Sequence, residues 1–347
     1  MTISDLGLAD PSGVTSQAKH PLFTIAIPTF NRASLLKECI EAAFSQTYSN
    51  FEVVVSNNNS SDDTEKVLST FSDPRLRVIK QETNIGLLPN WNACVSAANG
   101  DYVVIVSDDD RISPWFLERC SLLLEVRPTL PIIVTLSSLY AGSLGCTKPP
   151  RVSEKYKTGI WEGIDILTEF LTDRITVTMC SVMMRTDLLR ARGGIPLDLP
   201  HVADVAAWAP MLFLGKAGLV NEACATFTFH DQSETARLGV EKLLLDGRRM
   251  TDLIKSTADA YISNSATRKY IVAQARACFA RRGLIVLSDF RYSGGAVNAI
   301  LGVFWRYRSE FHGIDLKALV RFGVVILCPP RFTARLRRLG HATRGSA

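Results

Sequence analysis

Residues 102–111 read YVVIVSDDDR. An apolar, mostly β-branched run, Tyr102–Val106, leads through one serine into three consecutive aspartates. Carboxylates this close repel one another and resist burial, so a strand ending this way calls for positive charge at its tip. Upstream the same texture recurs. LFTIAI (22–27) reads as a strand stopping at Pro28, and ASLLKECIEAAFSQ (33–46) has apolar residues at helical spacing. FEVVVS (51–56) is a second strand, followed by the turn cluster NNNSSDDT (57–64). A helix over 64–71, a strand at LRVIK (76–80) and a helix over 88–98 precede the opening stretch, and a helix with Pro114 at its start follows it. Strand and helix alternating at this spacing predict an α/β fold, a doubly wound, mostly parallel sheet with flanking helices.

Further along, a strand is expected near 131–136, a polar connection over 143–159, a helix over 161–171 and a strand over 177–185. A helix starting at His201 should end at Gly215 or Gly218, with strands then running to His230. Beyond about Glu234 helical periodicity takes over and arginines multiply. The expected organisation is a polar, disordered tail over 1–20, a catalytic-type α/β domain over 21–235 and a basic, mainly helical region over 236–347.

With 347 residues, 47% hydrophobic and 21% charged, the chain has the composition of a folded globular protein. It holds no apolar run of the roughly 18 residues a spanning helix requires, and its first 20 residues lack a secretory h-region. Eight cysteines without a C-x-x-C pair, most in apolar surroundings, read as reduced, buried thiols of a cytoplasmic protein. The net charge of +5 conceals an asymmetry: residues 236–347 carry 20 Lys+Arg against 7 Asp+Glu, and residues 1–235 carry 19 against 27. An acidic front suits metal-gathering carboxylates, and a basic rear suits an anionic surface.

Ligands of open α/β sheets bind outside the carboxyl ends of the strands. Four features fall there: PTFNR (28–32), NNNSSDDT, NIG (84–86) and SDDD (107–110). Mg²⁺ and Mn²⁺ prefer oxygen ligands and are commonly held by one or two carboxylates plus substrate phosphates, which makes SDDD a candidate diphosphate clamp. Capping of the following helix by Asp110 or Ser113 would account for one acid but hardly three. Asn57 at a strand tip suits hydrogen bonding to a uracil or thymine, or simply a turn. Pro28, Thr29 and Arg32 fit a nucleotide pocket, although Asn31 is equally a helix cap. Asn84 and Gly86 suit the same pocket or a plain turn with Gly86 left-handed. Asp204, at a helix start, suits a general base or dipole pairing. His230, after FTF, suits a metal shell or a surface position.

In this order IPTFNR, VVVSNNNSSDDT, NIGLLPNWN, GDYVVIVSDDDRISP, CSVMMRTDLLRARGGI, HVADVAAW and FHDQS resemble a family 2 glycosyltransferase of GT-A fold, over 21–233. The resemblance implies inverting transfer from a UDP- or dTDP-sugar to a hydroxyl of a saccharide or lipid-linked acceptor, in bacterial surface polysaccharide or glycolipid synthesis. It implies Mn²⁺ or Mg²⁺ as cofactor. It assigns Asp204 as catalytic base and Pro28, Thr29, Asn31, Arg32, Asn57, Asn84, Gly86 and Asp108 to the nucleotide. Asp109, Asp110 and His230 go to the metal. Three positions depart from the family pattern: Asn57 for a base-binding Asp, Ser107 for the first acid, and Ala203 for an acid before Asp204. These departures leave room for a catalytically silent subunit of the same fold. A dinucleotide-dependent oxidoreductase is excluded by the lack of G-x-G-x-x-G. A nucleotidyltransferase would carry a Gly-rich basic loop after the first strand. Nucleic-acid binding is not expected, since aromatic and Gly interleaving is sparse in the basic rear. That rear mixes apolar runs with arginines, as in AVNAILGVFWRYR (296–308), and suits either peripheral contact with the inner face of an anionic plasma membrane or a packed helical bundle.

Overall fold

The computed structural model describes residues 20–141, 145–229, 239–292, 294–311, 314 and 316–327. The chain divides into two compact units, Met1–Asp231 and Gln232–Ala347.

In the first unit the described strands form one mixed sheet. They are β1 (Phe23–Thr29), β2 (Phe51–Asn57), β3 (Leu76–Lys80), β4 (Tyr102–Ile105), β5 (Arg111–Ile112), β6 (Ile132–Ala141), β7 (Cys146–Lys148), β8 (Gly159–Glu162), β9 (Val182–Arg185) and β10 (Lys216–Phe229). Their order is β3-β2-β1-β4-β9-β6-β10-β5, with β7 on β6 and β8 on β10. β3, β2, β1 and β4 run parallel, and β9 is antiparallel to both β4 and β6. Every residue of β1 and β2 is buried, as continuous apolar runs in a sheet covered on both faces require. The helices of this unit are α1 (Ala33–Phe44), α2 (Thr64–Leu68), α3 (Leu87–Ala97), α4 (Phe116–Val126), α5 (Gly163–Leu171), α6 (Thr186–Ala191) and α7 (Ala203–Trp208). α1 buries Leu36, Cys39, Ile40 and Ala43, one stripe at helical period, against a core that includes Phe23, Ile25, Val53 and Val104.

β1 does not stop at Pro28 but runs through it to Thr29. Its register with β4 ends at Ala26–Ile105, so the donor that proline lacks falls where β4 has already turned away. Trp161 belongs to β8, drawn into the sheet by pairing with Ala217, and helix α5 begins only at Gly163. The helix expected to reach Gly215 ends at Trp208; Pro210 follows in a 3-10 segment (Ala209–Phe213), and β10 starts at Lys216. The segment at 177–185 is strand only from Val182, because Thr178 and Ser181 cap a 3-10 turn between them.

At the amino ends of the strands, Glu52 ties three of them together. It accepts from Thr24 Oγ1 on β1 (2.7 Å), from the Asn99 N–H before β4 (2.5 Å) and from Arg77 Nη1 on β3 (2.7 Å). Gly100 closes the same corner, where a Cβ would lie 2.6 Å from the Thr24 nitrogen. This clamp sets the start of β4, and hence where its acidic end emerges.

The second unit is helical: α8 (Val240–Tyr261), α9 (Ser265–Tyr292), α10 (Val297–Arg306) and α11 (Leu316–Leu327), with a 3-10 turn at Arg308–Phe311. Leu244, Ala280, Leu284, Leu287, Ile300, Phe311, Phe322 and Ile326 form its core. Phe304 stacks on Phe311 at 4.8 Å and on Phe322 at 5.5 Å between ring centroids.

Burial pushes the Glu52 carboxyl up, but its hydrogen bonds from Asn99, Thr24 and Arg77 outweigh this and hold it below its ordinary value. A depressed folded-state pKa stabilises the protein above the unfolded value and loses that contribution as pH falls through the folded one. Urea unfolding should show Glu52→Gln less stable at pH 7 by about 1–3 kcal/mol, from donors left poorly matched. The difference should shrink as pH falls through the depressed folded-state value of Glu52, below the ordinary carboxylate range, where the wild-type carboxylate protonates. A difference that is unchanged by pH would refute the clamp.

Candidate active site

The acids of YVVIVSDDDR lie where the sheet's carboxyl ends meet, at 3%, 8% and 1% exposure for Asp108, Asp109 and Asp110. Asp108 accepts from Thr29 Oγ1 at the end of β1 (2.7 Å) and from Arg32 Nη1 (3.1 Å). The same Arg32 nitrogen donates to Asp109 Oδ2 at 2.9 Å. Burial, then the neighbouring charge of Asp109, pushes the Asp108 carboxyl up to about 6 against the opposing pull of Arg32. Asp110 takes a different part. It faces β10, accepting the Thr228 N–H at 2.9 Å beside the buried Cys180 thiol. Burial and Asp109 hold its carboxyl well above the usual range. Through the Thr228 bond its carboxylate ties the acidic turn to β10. Neither it nor Ser113 caps α4. Gln46, from the turn after α1, accepts the Leu117 N–H instead.

Two loops fix Arg32, and they are stitched to each other. Asn31, left-handed at φ 53°, accepts the Ser61 N–H at 2.7 Å while its own N–H donates to Ser60 Oγ at 3.0 Å. Asp62 accepts the Ala33 N–H at the start of α1 (2.9 Å) and the Thr64 N–H (3.1 Å). Asn31 is thus a loop bridge and not the helix cap, which falls at Arg32. Asn57 is 0% exposed; its Oδ1 accepts the Ser60 N–H (2.9 Å) and its Nδ2 donates to Glu65 (2.6 Å). Its amide thus braces the loop that follows β2. Asn58, not singled out in the sequence, binds the NIG turn: its Nδ2 donates to Asn84 Oδ1 (2.9 Å) and its Oδ1 accepts the Ile85 N–H (2.9 Å). Asn84 Oδ1 also accepts the Gly86 N–H, with Gly86 at φ 89° opening α3. The signal was present in three consecutive asparagines, but which one faces inward depends on strand register.

The sequence matches the profile of Glycosyl transferase family 2 over residues 24–188, from β1 into α6. An uncharacterized protein of Mycobacterium tuberculosis is 32% identical over 250 residues, covering 70% of this chain and 78% of that one. The chain belongs to glycosyl transferase family 2. Hyaluronan synthase of Pasteurella multocida is 26% identical over 230 residues, or 64% of this chain, yet the chain spans only 22% of that protein's length. Among solved structures, S. aureus TarS 1-349 in complex with UDP-GlcNAc aligns with a TM-score of 0.61 at 17% identity, covering 83% of this chain and 88% of that one. The mannosyltransferase PcManGT from Pyrobaculum calidifontis, in complex with GDP-Man and Mn²⁺, aligns at 0.51 and 16% identity, covering 88% and 87%. The fold is GT-A, with a helical region following it, and the enzyme class is glycosyltransferase.

In this family 2 glycosyltransferase no three His, Cys, Asp or Glu side chains come together as a complete metal shell among the described residues. His230 lies outside them. What is present suits a divalent cation whose shell a substrate completes. Hard carboxylate oxygens are buried together, and burial pushes the Asp108 carboxyl up to about 6 although Arg32 pulls it down. Asp204 is the second residue of α7 and half-buried, one turn before Trp208, whose ring packs edge-on against Phe170 of α5 at 4.8 Å.

Arg32→Ala should lower the melting temperature, by about 1–3 kcal/mol of stability, because it leaves two buried carboxylates without their shared guanidinium. Millimolar Mn²⁺ should recover part of that loss by supplying the missing charge. A variant as stable as wild type at neutral pH would show that the pair does not hold the corner.

Proposed function

We propose that the enzyme transfers a sugar from a nucleoside-diphosphate donor to a hydroxyl of a saccharide or lipid-linked acceptor, with inversion, in bacterial surface polysaccharide or glycolipid synthesis. The observation that carries this is the buried Asp108–Arg32–Asp109 group at the carboxyl ends of β1 and β4. The names of relatives support the substrate class: hyaluronan synthase and chondroitin synthase among sequences, and UDP-GlcNAc and GDP-Man complexes among structures.

Mn²⁺ or Mg²⁺ at Asp109, with Asp108 beside it, would neutralise charge on the departing diphosphate when bound. Thr29 holds Asp108 in place, and the stitched loops hold Arg32 where it can turn from the carboxylates toward a phosphate. Pro28 and Thr29 supply the floor of the nucleotide pocket, and the Asn58-braced Asn84–Gly86 turn supplies a wall. Asp204 accepts the acceptor's hydroxyl proton as that oxygen attacks the anomeric carbon. The bond from that carbon to the diphosphate oxygen breaks on the opposite face, and the nucleoside diphosphate leaves with the electron pair. Uracil and thymine remain the favoured bases. With Asn57 enclosed, the base contacts fall to backbone groups of the surrounding loops. We place the reaction on the cytoplasmic side, where nucleotide-sugars are made.

Wild type should hydrolyse a UDP- or dTDP-sugar slowly, with Mn²⁺ required, and bind it in a thermal-shift assay. Asp204→Asn should keep the donor-induced shift but lose at least about 10²-fold in turnover, the low end of what a positioned base contributes. Donor binding with full turnover in that variant would remove Asp204 from the mechanism. No shift with any nucleotide-sugar, with or without Mn²⁺, would remove the donor class.

A further inference from the structure

The second unit carries apolar surface that its own core does not use. α11 is apolar on two sides. Phe322 and Ile326 turn inward and are each 7% exposed. Leu316, Val320, Val324 and Leu327 lie within about 80° of one another at 3.6 residues per turn. They are 76%, 56%, 46% and 85% exposed. A single exposed leucine needs no explanation, but a stripe along three turns does. On α10, which packs on α11 through Phe304 and Phe322, Leu301 and Trp305 are one turn apart and 46% and 69% exposed.

The charge on these two helices and the turn between them is mostly positive. Residues 297–311 and 316–327 hold Arg306, Arg308, Lys317 and Arg321 against Glu310, and Arg306 pairs with Glu241 of α8. The exposed Arg321 flanks the α11 stripe, and the Arg308 guanidinium sits 5.2 Å over the Trp305 ring. We infer that α10 and α11 dock this unit on a bilayer surface containing anionic phospholipid, with Trp305 and the α11 stripe among the acyl-chain ends and the arginines at headgroup phosphates. Among the described residues no helix is long and apolar enough to cross a membrane, so the contact lies along the surface. A second copy of the chain is the poorer occupant, since it would oppose one arginine-rich face to another. The inference goes beyond the glycosyl-transfer reading and does not rest on it.

Flotation of the full chain tests it, with vesicles of phosphatidylcholine alone or with about one third phosphatidylglycerol. Wild type should float with the anionic vesicles, less at high salt, and not with phosphatidylcholine alone. Trp305→Ser combined with Leu316→Ser and Val320→Ser should cut flotation by about tenfold with the melting temperature and sugar-nucleotide hydrolysis unchanged, as expected for exposed positions. Absence of flotation, equal binding to both vesicle types, or equal flotation of the triple variant would each overturn the proposal. So would light scattering that shows a wild-type dimer made monomeric by the same substitutions.

Discussion

Two buried carboxylates sharing one guanidinium nitrogen are the constraint on which the catalytic unit is organised. Charges removed from water are tolerated only when neighbours replace the lost solvation. Here the Thr29 hydroxyl and Arg32 do so for Asp108, and the Thr228 N–H does so for Asp110. Each of these partners comes from a different segment of the first unit. The acidic turn therefore draws its partners from β1, the loop beyond it and β10. The site is the point where distant parts of the chain agree, and it is also the point least comfortable on its own, as the raised Asp108 and Asp110 carboxyls show.

The loops around it serve position more than contact. Asn31, Ser60, Ser61 and Asp62 exchange side-chain-to-backbone hydrogen bonds between two loops, and Asn57 braces the second of them from beneath. A short polar side chain that satisfies a neighbouring backbone removes freedom that a turn would otherwise keep. Arg32 sits at the junction, so its placement is inherited from this mesh and not from a helix cap of its own.

Much of the sheet was legible because β1, β2 and β4 are continuous apolar runs bounded by turn residues, and α1 shows a clean period of 3.6. The acidic end of β4 stood out because no local role accounts for three aspartates. What was not legible depends on distance in space. Nothing local says that Asn57 points into the loop while Asn58 reaches the 84–86 turn. Nothing local says that Asp110 meets Thr228, 118 residues away. Trp161 reads as helix by composition but is strand because β10 pairs with it. The long helix expected after His201 gives way before Pro210, whose missing N–H breaks the helical ladder into a 3-10 segment. In α11 apolar residues lie on both flanks, and only the packing of Phe322 and Ile326 in the core decides which side is buried.

Charge on the whole chain is a poor guide to how an anionic donor is received. Residues 1–235 carry 19 Lys+Arg against 27 Asp+Glu, which taken globally would repel a diphosphate. Salt screens exposed charges beyond about 8 Å, so most of that excess is silent at the site. What governs the proposed site is the buried corner, where one Arg32 nitrogen lies 3.1 Å from Asp108 and 2.9 Å from Asp109. Arg32 alone cannot serve both the carboxylates and a phosphate. On the proposed reading, a donor that draws Arg32 away must bring a positive charge to the acids it leaves. The arrangement that holds the acids together is thus the same one that, on the proposed reading, couples the arrival of a diphosphate to that of a cation.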